Sequence, residues 1–202
     1  MITDINTAWD ELERKVSQCR KCSLCEKRRN TVLGAGPREN CRVMLIGEAP
    51  GADEDATGLP FVGKAGQLLT SILENGGNIP RESLYITNTV KCRPPENRNP
   101  TQEECRACRD FLDAQLLLIH PDIVVTLGNV PTQFLLRTNQ GISSLRGKWL
   151  TWRGIYLLPM FHPSYLLRNE SRAKGSPKDL TWQDVKSLKA KIDELTKGAD
   201  IS

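Results

Sequence analysis

The sequence predicts an α/β fold: a three-layer α/β/α sandwich around a central, mostly parallel four-stranded sheet, with residues 1–202 forming a single domain. Three observations predict it. Four short apolar runs, at 42–47, 84–88, 122–127 and 155–160, have the length and composition of buried strands. Segments with helical period lie between them, and strands alternating with helices imply parallel pairing covered on both faces. The chain of 202 residues, 39% apolar and 26% charged, is long enough to bury one core and too apolar to be disordered.

Taken in order, residues 6–18 carry Trp9, Leu12 and Val16 at helical spacing. A basic, cysteine-rich loop follows at 19–29. The first strand ends at Gly47, and a polar stretch rich in glycine and proline fills 47–63. Leu68, Leu69, Ile72 and Leu73 share one helical face until Gly76-Gly77 stops it. The second strand ends at Asn88, and Pro94, Pro95 and Pro100 stiffen the loop behind it. Thr101 with Glu104 makes a capping box for a helix whose apolar face is Cys108, Phe111, Leu112, Leu116 and Ile119. The third strand, a helix near 131–137, the fourth strand and an amphipathic helix over 180–197 complete the order. Ligands of such sheets bind beyond the carboxyl ends of the strands, where Gly47, Asn88 and His162 fall.

Composition narrows the class. No apolar run reaches the ~20 residues of a membrane-spanning helix. Met1-Ile2-Thr3-Asp4 has neither a basic start nor an apolar stretch, so no secretory signal is visible and the protein reads as cytoplasmic, without a membrane partner. The net charge of +4 is compatible with nucleic acid and equally with many metabolic enzymes. Seven cysteines, an odd number in a reducing compartment, argue for metal or cluster ligation over disulfides.

Cys19 and Cys22 form a CxxC pair in a loop, where two thiolates converge on one centre. Cys92 and Cys108, separated by fifteen residues, have the gap found between halves of four-cysteine sites. Cys25 and Cys105 lie three residues from members of this set, so geometry alone could recruit either. The spacing fits zinc as well as an iron–sulfur cluster. Cys41 suits a small apolar core residue.

Four further segments carry chemistry. Gly47-Glu48-Ala49-Pro50-Gly51 brings backbone amides and an acid to a strand end, with Asp53, Glu54 and Asp55 close behind. Phe61 sits in a turn framed by Gly58 and Gly63, as a lid on the core or a platform for a planar base. Asn88 offers both a donor and an acceptor, the pairing that suits a pyrimidine edge. His162 follows the last strand and is the better catalytic candidate of two histidines, since His120 precedes Pro121 at a helix end. Leu166, Leu167 and Arg168, with Arg172, Lys174 and Lys178 beyond, have the pattern of an apolar wedge flanked by phosphate-binding cations.

Gly-Glu-Ala-Pro-Gly at 47–51, Pro-Phe-Val-Gly-Lys-Ala-Gly at 60–66, Ile-Thr-Asn-Thr-Val-Lys-Cys-Arg-Pro-Pro at 86–95 and His-Pro-Ser-Tyr-Leu-Leu-Arg at 162–168 occur in an order that resembles family 4 uracil-DNA glycosylases. Each motif is weak alone; four in order, with the cysteines, are specific. The resemblance implies an enzyme of base excision repair that flips deoxyuridine from DNA and hydrolyses its N-glycosidic bond. It implies a 4Fe-4S iron–sulfur cluster on Cys19, Cys22, Cys92 and Cys108, leaving Cys25, Cys41 and Cys105 as bystanders. It implies a uracil pocket of Glu48, Ala49, Glu54, the stacking Phe61, the uracil-reading Asn88 and His162. Leu166, Leu167 and Arg168 would enter the DNA minor groove. Family 1 relatives carry an aspartate where Ala49 stands, so positioning of the attacking water passes to Glu48 or Glu54. The expected partner is uracil-containing DNA, bound by a monomer. The rival expectations are a non-catalytic iron–sulfur or zinc-stabilised nucleic-acid-binding protein, an electron carrier, and a uracil-DNA binder that traps its product on an inserted histidine loop. The absence of histidine between residues 92 and 100 counts against the last.

Overall fold

In the computed structural model, which describes residues 4–199, a five-stranded sheet in the order β2-β1-β3-β5-β4 separates two layers of helices. Residues 1–3, on which the expectation about the chain's start partly rests, lie outside the described residues. The strands are β1 (Val43–Gly47), β2 (Tyr85–Asn88), β3 (Ile123–Leu127), β4 (Leu150–Trp152) and β5 (Ile155–Met160). β1 pairs in parallel with β2 and β3, and β3 in parallel with β5. The helices are α1 (Ile5–Ser17), α2 (Ala52–Thr57), α3 (Lys64–Ser71), α4 (Gln102–Ile119), α5 (Asn129–Leu136), α6 (Ile142–Leu145), α7 (Pro163–Leu167) and α8 (Pro177–Ala199). Among the described residues no helix is long and apolar enough to cross a membrane.

Alternation along each strand divides the core between the two faces. Met44, Ile46, Val124 and Leu157 point to one face, where they meet Trp9, Leu12 and Val16 of α1 and Phe111, Leu112 and Leu116 of α4. Val43, Leu45, Val125 and Leu158 point to the other, against Leu69 of α3 and Val185 and Leu188 of α8. The α4 capping box forms as expected: Glu104 N–H donates to Thr101 Oγ1 at 3.2 Å, and Thr101 N–H donates to Glu104 Oε2 at 2.7 Å. His120 ends α4 in the left-handed region at φ 49°, a helix-capping position.

The sheet has five strands where four were expected. β4 is antiparallel to β5 and joined to it by Arg153-Gly154, both at positive φ (51° and 80°). That is the geometry of a tight hairpin turn, written with Arg-Gly in place of the usual Asn-Gly. Three residues are too few to display alternation. Three short helices, α2, α6 and α7, also lie outside the expected elements. α2 emerges from the acidic stretch after Gly51, and α7 begins at Pro163 directly behind His162. The apolar helical face at 68–73 belongs to α3, whose last turn widens into a π-helical segment over Ile72–Gly76.

Candidate functional site

The segments that leave the carboxyl ends of β1, β2, β3 and β5 surround a cleft of about 620 Å³. β1 has β2 on one side and β3 on the other, so the cleft opens where the sheet's connections diverge, the usual ligand position in such folds. Glu48, Ala49, Glu54, Phe61, Asn88, His162 and Arg168, all expected from the sequence, line this one cleft.

Asn88 ends β2 and is 1% exposed, and its Oδ1 is buried without a hydrogen-bond partner. A buried acceptor left unpaired costs about 1–3 kcal/mol, so such an atom in a cleft wall marks where a ligand's donor belongs. Gly47 makes the arrangement possible. A Cβ there would collide with Asn88 Oδ1 and lie 2.5 Å from Phe61 Cζ. The Phe61 ring therefore lies across a bare stretch of backbone next to the asparagine.

Phe61 itself is held in the left-handed region at φ 53°, which is costly for an aromatic residue and needs support. Gly66 of α3 provides some of it, since any Cβ there would strike the Phe61 carbonyl oxygen. Arg81 donates to Pro60 O at 2.8 Å and to Thr70 Oγ1 at 2.9 Å, tying the turn to α3. Glu54 supplies the rest. Its Oε1 accepts from Val62 N–H and Gly63 N–H, both at 2.9 Å, and its Oε2 accepts from Gly51 N–H at 3.0 Å.

Glu48 differs in every respect. Among the described residues its side chain has no hydrogen-bond or ion-pair partner, and burial alone pushes its carboxyl pKa upward. Of the two candidate acids, Glu54 is committed to the loop and Glu48 is free to hold something in the cleft.

His162 caps α7. Ser164 N–H donates to His162 Nδ1 at 3.2 Å, which makes Nδ1 an acceptor and leaves the proton on Nε2. Burial, then the positive charge of Arg168, pull its pKa down from 6.5 to about 4, against a smaller opposing effect of Glu54. The ring is thus a neutral N–H donor at physiological pH, with its centroid 5.9 Å from that of Phe61. Ser164 escaped sequence reasoning, although a proline directly after a polar residue is a helix-start signal.

At the rim the expected DNA-contacting trio divides. Arg168 lines the cleft and Leu167 is 41% exposed, whereas Leu166 is fully buried at 0% and packs as a core residue. Arg98, Asn97 and Asn99 of the proline-stiffened loop also line the cleft, unforeseen from the sequence. Arg98 is fixed by a two-pronged contact with Glu104, at 2.8 and 2.7 Å.

Beside the core that α1 and α4 form with the sheet, Cys19, Cys22, Cys25, Cys92 and Cys108 line one narrow depression, from which Cys105 and Cys41 are absent. Cys41 donates its thiol hydrogen to Val43 O at 3.3 Å and belongs to the core. Among the described residues, no group of three or more Cys, His, Asp or Glu side chains is arranged to hold a single metal ion. Arg28 Nη1 donates to Cys92 Sγ at 3.0 Å, Lys91 N–H to Cys108 Sγ at 3.3 Å and Lys21 N–H to Cys19 Sγ at 3.5 Å. Burial pushes the Cys92 thiol up to about 11 and those of Cys22 and Cys108 above their usual value. Thiolates here therefore need a cationic centre, and the donor set already aimed at three sulfurs is of the kind that supports one.

Residues 33–186 match the family model described as the uracil DNA glycosylase superfamily. The chain is 43% identical over 183 residues to the type-4 uracil-DNA glycosylase of Thermotoga maritima, covering 90% of this chain and 93% of that one. It is 42% identical over 166 residues to the type-4 enzyme of Archaeoglobus fulgidus, covering 78% and 82%. It is 41% identical over 168 residues to that of Saccharolobus solfataricus, covering 79% and 77%.

Proposed function

The chain belongs to the uracil DNA glycosylase superfamily, and from that premise we propose that its cleft excises uracil from DNA by hydrolysis of the N-glycosidic bond. The observation that carries the reading is the unpaired Asn88 Oδ1 beside the Phe61 ring. Uracil presents an N3–H donor next to an O4 acceptor. Asn88 complements both at once, accepting from N3–H and donating from Nδ2 to O4. Cytosine reverses this polarity and would leave buried groups unpaired, a large basis for rejection. Phe61 stacks on the flipped ring.

As the bond to C1′ breaks, its electron pair passes to the base and charge collects on uracil O2. The His162 Nε2–H donor, fixed in tautomer by Ser164, stabilises that charge without surrendering a proton. Water adds its oxygen to C1′ of the cationic sugar, and the proton it loses passes through solvent to the departed uracil anion, leaving an abasic sugar and free uracil. Glu48, unpaired in the cleft wall, is the group that orients this water, and Glu54 is a positioning residue for the Phe61 turn. Arg168 and the exposed Leu167 contact the DNA strand around the flipped nucleotide.

Cys19, Cys22, Cys92 and Cys108, which line one depression with N–H donors aimed at three of their sulfurs, would hold a 4Fe-4S cluster. Hydrolysis transfers no electron, so such a cluster would clamp the loop after α1 to the loop after β2. The protein would act as a monomer on DNA in the cytoplasm. The test is alkaline cleavage of an end-labelled oligonucleotide with one uracil, run beside Asn88→Ala and His162→Ala. Activity in the parent that drops about 100-fold or more in each variant supports the reading. Equal activity in all three overturns the assignment of the pocket.

A further inference from the structure

Lys91 is a fully buried lysine, 1% exposed, with no carboxylate partner among the described residues. Its ammonium donates to the backbone carbonyl of Asn88 at 2.7 Å and to Thr87 Oγ1 at 2.7 Å. Its own N–H donates to Cys108 Sγ at 3.3 Å, and its chain neighbour Cys92 lines the sulfur depression that Lys91 also lines. A buried lysine without an acid is expensive, and burial of this kind is seldom retained for packing alone. Here it spans two sites. One end grips the carbonyl of the base-reading asparagine, and the backbone at the other end is tied to a sulfur.

We propose that Lys91 is a positioning residue that couples the sulfur centre to uracil recognition, by fixing the end of β2 from which the Asn88 side chain projects. The inference rests on the uracil-excision reading and deepens it. The Asn88 amide must meet the edge of a flipped base within hydrogen-bond tolerance, and its backbone carbonyl, at the last paired position of β2, accepts from the ammonium. A cluster on the sulfur loop would keep the lysine, tied by its backbone N–H to Cys108 Sγ, from withdrawing.

Because the ammonium touches neither base nor sugar, its loss acts through Asn88 and leaves DNA contacts at the rim intact. This separates it from a purely structural role. The experiment compares Lys91→Met with the parent, each loaded with its cluster, by iron content and visible absorbance. It then reads three quantities: affinity for DNA carrying an abasic analogue, inhibition by free uracil, and uracil-excision kcat/KM. The expected result is unchanged iron and abasic-DNA affinity, with uracil inhibition and kcat/KM both weaker by about 10-fold or more. Unchanged uracil inhibition in a loaded variant overturns the proposal. If Lys91→Met does not fold or load, Lys91→Arg decides. It keeps the charge beside the sulfurs, and its bulkier fork cannot reproduce both 2.7 Å contacts. It should load its cluster and still lose uracil inhibition several-fold, whereas inhibition equal to the parent's overturns the coupling. Absence of excision by the parent would instead sink the uracil reading itself, so the two failures are distinguishable.

Discussion

Replacing Glu54 with Gln separates the two acids at the cleft. The substitution keeps the side chain's shape and removes its charge. In the parent, one carboxylate oxygen accepts from Val62 and Gly63 N–H at 2.9 Å each, and the other accepts from Gly51 N–H at 3.0 Å. An amide has one oxygen, so its NH₂ must face a backbone donor, most simply that of Gly51. Orphaning a buried N–H costs about 1–3 kcal/mol, and converting two charge-assisted bonds to neutral ones removes about 1 kcal/mol each. Glu54 is half-buried, and water returns some of this, leaving a net destabilisation of about 2–4 kcal/mol. Urea unfolding of E54Q should show that loss. Its single-turnover kcat, measured where the variant is fully folded, should fall by no more than about 10-fold. Glu48→Gln should behave oppositely, with the urea midpoint unchanged or higher because a partnerless half-buried carboxyl is removed, and kcat down by about 100-fold or more. An E54Q variant with a parental midpoint and a collapsed kcat would refute this reasoning and transfer the water to Glu54.

Three further outcomes follow from the same geometry. His162 has its folded pKa held near 4, below its ordinary 6.5, so it favours the neutral form on folding. That contribution is complete above pH 6.5 and lost as pH falls towards 4, a decline of about 2–3 kcal/mol that His162→Gln should flatten in a urea-midpoint series against pH. Leu166→Ala should cost about 2–4 kcal/mol of stability from a fully buried site, whereas Leu167→Ala should leave the urea midpoint unchanged and lower excision from double-stranded DNA. Serine at Cys19, Cys22, Cys92 or Cys108 should lower iron content and visible absorbance, and serine at Cys41 or Cys105 should not, as elemental analysis would determine.

Much of the frame was legible in the chain. β1, β2, β3 and β5 announce themselves because buried parallel strands are continuous apolar runs, and α4 because Thr101 and Glu104 write its start. β4 was hidden by its length and by Arg153 in a turn position where Asn would have signalled a hairpin. α7 was hidden because five residues hold less than two helical turns, and with it went the burial of Leu166. Most of the cleft's membership was also legible, since a parallel sheet delivers its loops to one edge, though not Asn97, Arg98 and Asn99. The division of labour within it was not. Glu48 and Glu54 are alike in sequence, and only the backbone N–H groups around Glu54 distinguish a loop clasp from a free acid. Lys91 reads as one more cation in a basic stretch until its burial between two sites is seen.

The most direct measurement is single-turnover release of free base from matched oligonucleotides carrying uracil, cytosine or thymine at one position, with the product identified by chromatography. The account predicts that uracil alone is released and an alkali-labile site remains. Intact uracil-containing DNA, or release of cytosine at a comparable rate, would contradict it.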